Sequence, residues 1–331
     1  MVRVGVARGP GDAAMSPIRN ILVLYHRGVG DEATLERAVS LTRKVEGSLI
    51  VAEALDPAPP GRLTWLVPPS SRARREWDQC VAEREAHFER LTTGIRRLNV
   101  PVRCRVLADG PAHDSVIRAV IEDRVDLVIL TAPMAELTST GVSAGLVARL
   151  MRDCPCPVWL AHPGIEGALG RVAAAVALPD DPDGDHGTAE RVLALAGALQ
   201  SVEGCTVDIV HAWDFVGTER DRALSELPRD RLDGLVRHEG AGRRARIARL
   251  ISDLGLDGAK FRIHVVRGEP DFVIPEFADQ HGVDLVVMGS GPGPALGRLF
   301  AGSAARRVST DVACSVLAVG GAPALRPHSL A

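Results

Sequence analysis

Few side chains in this 331-residue chain are spaced so that they could do chemistry together, and most fall in one stretch. From Val283 to Val319 it reads VDLVVMGSGPGPALGRLFAGSAARRVSTDVACSVLAV. Asp284 to Met288 is a short apolar run of the kind a buried parallel strand uses. A glycine-rich segment from Gly289 to Ala301 follows, then Gly302-Ser303 at the start of an amphipathic helix, then a second apolar run from Cys314 to Val319. Strand, glycine loop and helix N-terminus in that order aim unpaired N–H groups and a positive dipole end at one place. The chemistry on offer is anion binding, phosphate above all. Met288, Gly289, Gly291 and Gly293 contribute backbone at the turn, and Gly302 permits close approach. Ser303 adds a hydroxyl and an N–H, Ala304 a further N–H, and Arg298 a guanidinium. Pro292 has no N–H and a φ fixed at about −65°, so Gly291 or Gly293 would have to restore the turn by a one-residue shift.

These residues resemble the G-x-x-G-x9-G-S/T nucleotide loop of the universal stress protein family, with Gly289, Gly302 and Ser303 in place and Pro292 at the second glycine. The wording from Leu296 to Val308, LGRLFAGSAARRV, is also similar. The resemblance covers residues 171–320 well and 19–163 weakly. It implies two tandem Rossmann-like domains of the adenine nucleotide alpha hydrolase-like type, each a five-stranded parallel sheet of order 3-2-1-4-5 with helices on both faces. It further implies pairing of the halves through their last strands as an intramolecular pseudo-dimer, with a homodimer as a further assembly. The cofactor implied is ATP or another adenine nucleotide, and no metal. In relatives that hold ATP an acidic residue near the end of strand one meets the adenosine. Here that position falls on Ala177 in the second half and on about His26 in the first.

The elements that would position such a site alternate along the whole chain. Strands are expected at 21–26, 48–54, 102–107, 126–131 and 157–161, with helices at 32–45, 72–98, 112–122 and 142–152. The pattern restarts with strands at 172–178, 206–212, 261–266 and 285–288 and helices at 186–200, 229–254 and 270–280. A shift of 158 residues lays Gly110 on Gly268, Val125-Asp126-Leu127-Val128 on Val283-Asp284-Leu285-Val286, and Arg149, Asp153, Cys156 and Val158 on Arg307, Asp311, Cys314 and Val316. A register shared over so many positions indicates a duplicated unit. Alternating strands and helices imply parallel sheets with right-handed crossovers, and ligands beyond the carboxyl ends of strands one and four. The expected domains are 19–163, with a degenerate loop, and 171–320. Residues 1–18 read as a flexible leader in which Met15 competes with Met1 as the start, and 321–331 as a tail.

Composition narrows the function. Hydrophobic residues make up 46% and charged residues 24%, as in a soluble globular protein, and the 3% aromatic content means cores of Val, Leu, Ile and Ala. A formal charge of −3 argues against a nucleic-acid partner. No apolar run is long enough for a membrane span. Six cysteines without regular spacing suit a reducing cytoplasm rather than a disulfide framework. The loops of nucleotidyl transferases and pyrophosphatases, a nucleophile elbow and a complete Walker loop are all missing, so no enzymatic activity is expected.

Other features read as structural. Thr131-Ala132-Pro133-Met134 stands where Gly289 begins in the repeat, so the first half is a structural or ligand-divergent copy. Cys154-Pro155-Cys156 has neither the C-x-x-C spacing nor a partner motif and reads as core. His211 and His264 fall in strands as satisfied structural histidines, and 180–185 (DDPDGD) reads as an acidic turn rather than a calcium loop. Trp65-Leu66-Val67 and 212–216 (AWDFV) either pack against the long helices or line an apolar cavity or partner surface. The function this supports is a stress-response sensor or regulator. An interaction protein or binder of an apolar small molecule, independent of nucleotide, stands as the alternative.

Overall fold

Each expected apolar run becomes a strand, and all but the two edge strands are buried on both faces. In the computed structural model, which describes residues 18–26, 28, 30–55, 71–132, 144–165, 167–179, 186–215, 228–290 and 314–320, the first half runs β1 (Asn20–Leu24), α1 (Asp31–Lys44), β2 (Ser48–Ala54), α2 (Ser71–Arg96), β3 (Val102–Leu107), α3 (Ala112–Glu122), β4 (Leu127–Thr131), α4 (Ala144–Asp153) and β5 (Val158–Ala161). The second runs β6 (Arg171–Ala175), α5 (Gly187–Glu203), β7 (Thr206–Trp213), α6 (Arg229–Asp253), a 3-10 turn (Gly258–Lys260), β8 (Phe261–Arg267), α7 (Pro270–His281), β9 (Leu285–Gly289) and β10 (Ser315–Val319). The strand expected to reach Leu178 ends at Ala175. Val176 still donates to Val210 O, and the chain then leaves the sheet.

The strands form one continuous sheet in the order β3-β2-β1-β4-β5-β10-β9-β6-β7-β8. Within each half every pairing is parallel, and the order is the 3-2-1-4-5 winding, written once and then in reverse. What separates the halves is a reversal of direction, not a gap. β5 and β10 pair antiparallel, with Leu160 opposite Val316, Trp159 opposite Leu317 and Val158 opposite Ala318. Trp159 is fully buried there, with the Arg37 guanidinium 5.8 Å from its ring, and Lys44 on α1 meets Glu203 on α5 at 2.6 Å across the same seam.

One apolar layer lies on each face of the sheet and runs through both halves. α3, α4 and α7 cover one face and α1, α2, α5 and α6 the other. The edge strands β3 and β8 are only half-covered. Arg103 and Arg105 lie on β3, both paired with Asp123 at 2.8 and 2.7 Å, and keep that edge charged.

The repeat seen in sequence is conformational as well. Gly110 and Gly268 hold φ of 154° and 147°, and at Gly268 a Cβ would come within 2.9 Å of Val273. Asp126 accepts the N–H groups of Arg19 (2.9 Å) and Asn20 (2.8 Å), and Asp284 those of Gly170 (2.7 Å) and Arg171 (2.8 Å). The aspartate of each V-D-L-V thus pins the entry of strand one to strand four.

Candidate functional site

In the second half the winding reverses between β6 and β9, which pair in parallel with Ala175 opposite Met288. From there the chain leaves β6 toward β7, and β9 toward β10, so the carboxyl ends of these neighbours flank a crevice. Ala177 and Gly289 stand at its two sides. Ala177 is half-buried against the apolar layer and brings no polar side chain. Met288 is fully buried with its side chain in the core, so only its backbone borders the crevice. Gly289 closes β9 opposite Val319, and Ser290 donates its N–H to Val319 O at 2.7 Å. Sequence reasoning passed over Ser290. Its hydroxyl is buried without a partner among the described residues, and its place directly after Gly289 was the available signal. Gly291, Gly293, Arg298, Gly302, Ser303 and Ala304 lie outside the described residues, as do Pro292, the acidic turn and Trp65 to Val67.

The first half has the same crevice, and its own side chains fill it. Thr131 lies opposite Ala161 at the register where Gly289 lies opposite Val319. His26 is the counterpart of Ala177, because Tyr25 donates to Ala52 O as Val176 does to Val210 O. Asp31, the first residue of α1 and only 3% exposed, turns its carboxylate back into the crevice. It accepts the N–H groups of His26 and Gly28, both at 2.8 Å, and the hydroxyl of Thr131. Thr34 meets Thr131 hydroxyl to hydroxyl at 2.9 Å. Gly30 holds φ of 86° and packs so closely that a Cβ would sit 2.6 Å from Pro163. A carboxylate at a helix N-terminus, satisfied by backbone N–H groups, already does what a bound anion would do. Burial pushes the His26 imidazole below its ordinary pKa, opposed by the Asp31 charge.

None of these fillers recurs among the described residues of the second half. In the same 158-residue register Ala189 and Val192, both buried on α5, stand where Asp31 and Thr34 do, and Gly289 replaces Thr131. Beside that crevice, His211 at the end of β7 is 3% exposed, with Nδ1 2.8 Å from Val176 O and Nε2 buried without a partner among the described residues. Desolvation first, then the charges of Arg243 and Arg246, push its pKa down to about 4, so the ring is neutral and Nδ1–H donates to Val176. The expectation of a satisfied histidine holds for one nitrogen. Trp213 is buried under the Arg243 guanidinium, 4.8 Å away, and Phe215 under that of Arg267 at 5.2 Å. His264 bonds the buried carboxylate of Asp208 at 2.8 Å. Cys154 and Cys156 are buried, as expected of core residues. Among the described residues no group of three or more His, Cys, Asp or Glu could hold a metal ion, and no helix is long and apolar enough to cross a membrane.

Proteins of known family resemble this chain along most of its length. Universal stress protein E of Escherichia coli K12 is 23% identical over 308 residues, covering 92% of this chain and 95% of its own. The protein of that name from Salmonella typhi is 24% identical over 313 residues, at 92% and 95% coverage. Among solved structures, a protein of unknown function from Pseudomonas aeruginosa PAO1 superposes with a TM-score of 0.64 at 19% identity, over 93% of this chain and 95% of that one. A universal stress protein from Archaeoglobus fulgidus superposes with a TM-score of 0.59 at 15% identity, over 91% and 98%. The family model described as "Universal stress protein family" matches twice, at residues 17–162 and 176–320. The chain therefore belongs to the universal stress protein family, with two copies of its domain in tandem.

Proposed function

We propose that this chain is a non-enzymatic stress-response regulator whose second half holds an adenine nucleotide, ATP or a close relative, while its first half is a closed structural copy. One observation carries this reading: Asp31, Thr34 and Thr131 fill the first crevice, and Ala189, Val192 and Gly289 leave the second without those fillers. In this reading Gly289, Gly291, Gly293, Gly302, Ser303 and Ala304 hold the phosphates through N–H groups, helped by Arg298. Ala177 and the Met288 backbone border the adenosine, and no metal is required by the protein's own ligands. The functional units are 19–163 and 171–320, working in the cytoplasm.

Equilibrium titration of nucleotide-free full-length protein with ATP, ADP and AMP tests it. A single nucleotide per chain is expected, weakened by Ser303→Ala and abolished by Gly302→Val. No binding at millimolar ATP removes the nucleotide. Ala177 favours a second reading, a nucleotide-independent interaction or apolar-ligand protein, because it lends the crevice an apolar rim. Native mass spectrometry of protein taken from cells separates the two, since co-purified nucleotide contradicts the second reading. The groove of about 580 Å³ between α2 and β3 does not strengthen it, being lined in part by Glu85, Glu89 and Arg105.

A further inference from the structure

The first half carries a pair of thiols that neither the fold nor the proposed nucleotide site uses. Cys154 and Cys156, in the connection from α4 to β5, are both buried, and their sulfurs lie 3.6 Å apart in hydrogen-bonding contact. At the corresponding positions of the second half the sequence has Val312 and Cys314, so the repeat carries a single cysteine there. The seam gives the pair a distinctive neighbourhood. Antiparallel pairing of β5 with β10 brings the amino end of β5 against the carboxyl end of β10. A Cβ on Gly320 would lie 3.3 Å from Cys154 O and 3.8 Å from the Ser290 hydroxyl. The backbone of the dithiol segment therefore abuts Gly320 at the carboxyl end of β10, which pairs with β9 beside the second crevice.

We propose that Cys154 and Cys156 are a peroxide-oxidisable dithiol–disulfide couple built into the seam beside the second crevice. In the first step the Cys154 thiolate attacks one oxygen of hydrogen peroxide. The S–O bond forms as the O–O bond breaks, the departing hydroxide takes up the proton that Cys154 released on becoming the thiolate and leaves as water, and Cys154 becomes a sulfenic acid. In the second step the Cys156 sulfur attacks the Cys154 sulfur. The S–O bond breaks, and the departing hydroxide takes the Cys156 proton and leaves as a second water. Two thiols and one peroxide give one disulfide and two waters, the two electrons passing from the sulfur pair to the peroxide. The hydrogen bond from Cys156 lowers the Cys154 thiol pKa and raises that of Cys156, which assigns attack to Cys154 and resolution to Cys156. Closing the sulfurs to a covalent bond of about 2.0 Å needs only local movement, because one exposed residue, Pro155, separates them.

Cys314 is the internal control. It is as deeply buried, has no second thiol two residues away, and burial pushes its pKa up to about 12. The reduced full-length chain is treated with one equivalent of hydrogen peroxide, alkylated with iodoacetamide, digested with trypsin and weighed. The peptide 153–171 should lose two hydrogens and both alkylation sites, recover them with dithiothreitol, and react roughly tenfold or more faster than Cys314. In Cys156→Ser the reaction should stop at a dimedone-reactive sulfenic acid on Cys154. The proposal is overturned if Cys154 and Cys156 stay fully alkylatable in the folded wild-type chain while Cys80 or Cys314 oxidises. It is equally overturned if they pass to sulfinic acids without a disulfide. Because this readout uses no nucleotide, it stands or falls apart from the nucleotide reading.

Discussion

If Asp31 closes the first crevice as a built-in anion, removing its carboxylate should cost far more than a surface substitution. Asp31→Ala takes the acceptor from two N–H groups, His26 and Gly28, each at 2.8 Å, and from the Thr131 hydroxyl. Hydrogen bonds to a charged group contribute about 1.5–3 kcal/mol each, and buried donors left unmade cost about 1–3 kcal/mol. Water entering the space left by the carboxylate recovers part of this, so we expect a loss of about 4 kcal/mol. Asp31→Asn keeps one acceptor oxygen and should lose about half as much. Thr131→Val keeps the shape, removes the hydroxyl and should cost about 1–2 kcal/mol alone. In the Asp31→Ala background it should cost almost nothing, a coupling of at least about 1 kcal/mol. Urea unfolding read from the midpoint at constant slope measures all four chains. A loss below about 1 kcal/mol for Asp31→Ala, or simple additivity with Thr131→Val, would show that the crevice is not held shut by this carboxylate.

Three further outcomes follow from buried groups. Since His211 falls from an ordinary value of 6.5 to about 4 on folding, the unfolded chain binds a proton that the folded chain refuses between those values. Its contribution is complete above pH 6.5 and about 3 kcal/mol is lost by pH 4. His211→Asn, which can still donate to Val176 O, should flatten the stability–pH curve there, and an unchanged slope would contradict the assignment. His264→Leu leaves the buried Asp208 carboxylate with only Arg171 among the described residues, 3.5 Å away, and should cost about 3 kcal/mol. Adding Asp208→Ile, the residue type the first half carries at Ile50 in the same register, should return the chain to within about 1 kcal/mol of the parent in chemical denaturation; a double variant worse than the single one refutes this. Trp159→Ala empties the seam and should cost about 4 kcal/mol in a single transition reported by probes in both halves, so separate transitions would mean the halves unfold independently.

Much of the scaffold was legible because burial on both faces leaves continuous apolar runs, as at Leu127–Thr131 and Leu285–Gly289, and because the repeat keeps one register. The roles of particular residues were less legible, and each miss has a physical cause. Asp126 and Asp284 stood out as repeated letters, but their work is to bind N–H groups over one hundred residues away. Thr131 was seen to replace Gly289, yet its partner Asp31 lies 100 residues earlier and no local pattern joins them. Met288 drew attention as the neighbour of Gly289, whereas its place in β9 sends the side chain into the apolar layer. Cys154 and Cys156 were rightly read as core, but sequence spacing says nothing of a 3.6 Å contact between sulfurs.

Duplication within one chain explains why the two crevices can differ. In a symmetric dimer of identical copies, a Thr at the Gly289 position would appear in both crevices, and so would a second thiol beside β5. Fusion lets the substitutions separate: Asp31, Thr34 and Thr131 on one side, Ala189, Val192 and Gly289 on the other. The antiparallel seam then makes each half a neighbour of the other's crevice. The Cys154 carbonyl of the first half lies against Gly320 of the second, and the Ser315 hydroxyl of the second accepts the N–H of His162 from the first at 3.1 Å. A structural change in one half therefore has a short, packed route to the mouth of the other. Without β5 pairing to β10 that route would not exist, which is why the seam, more than the strands of either half alone, ties each half to the end of the other's strands.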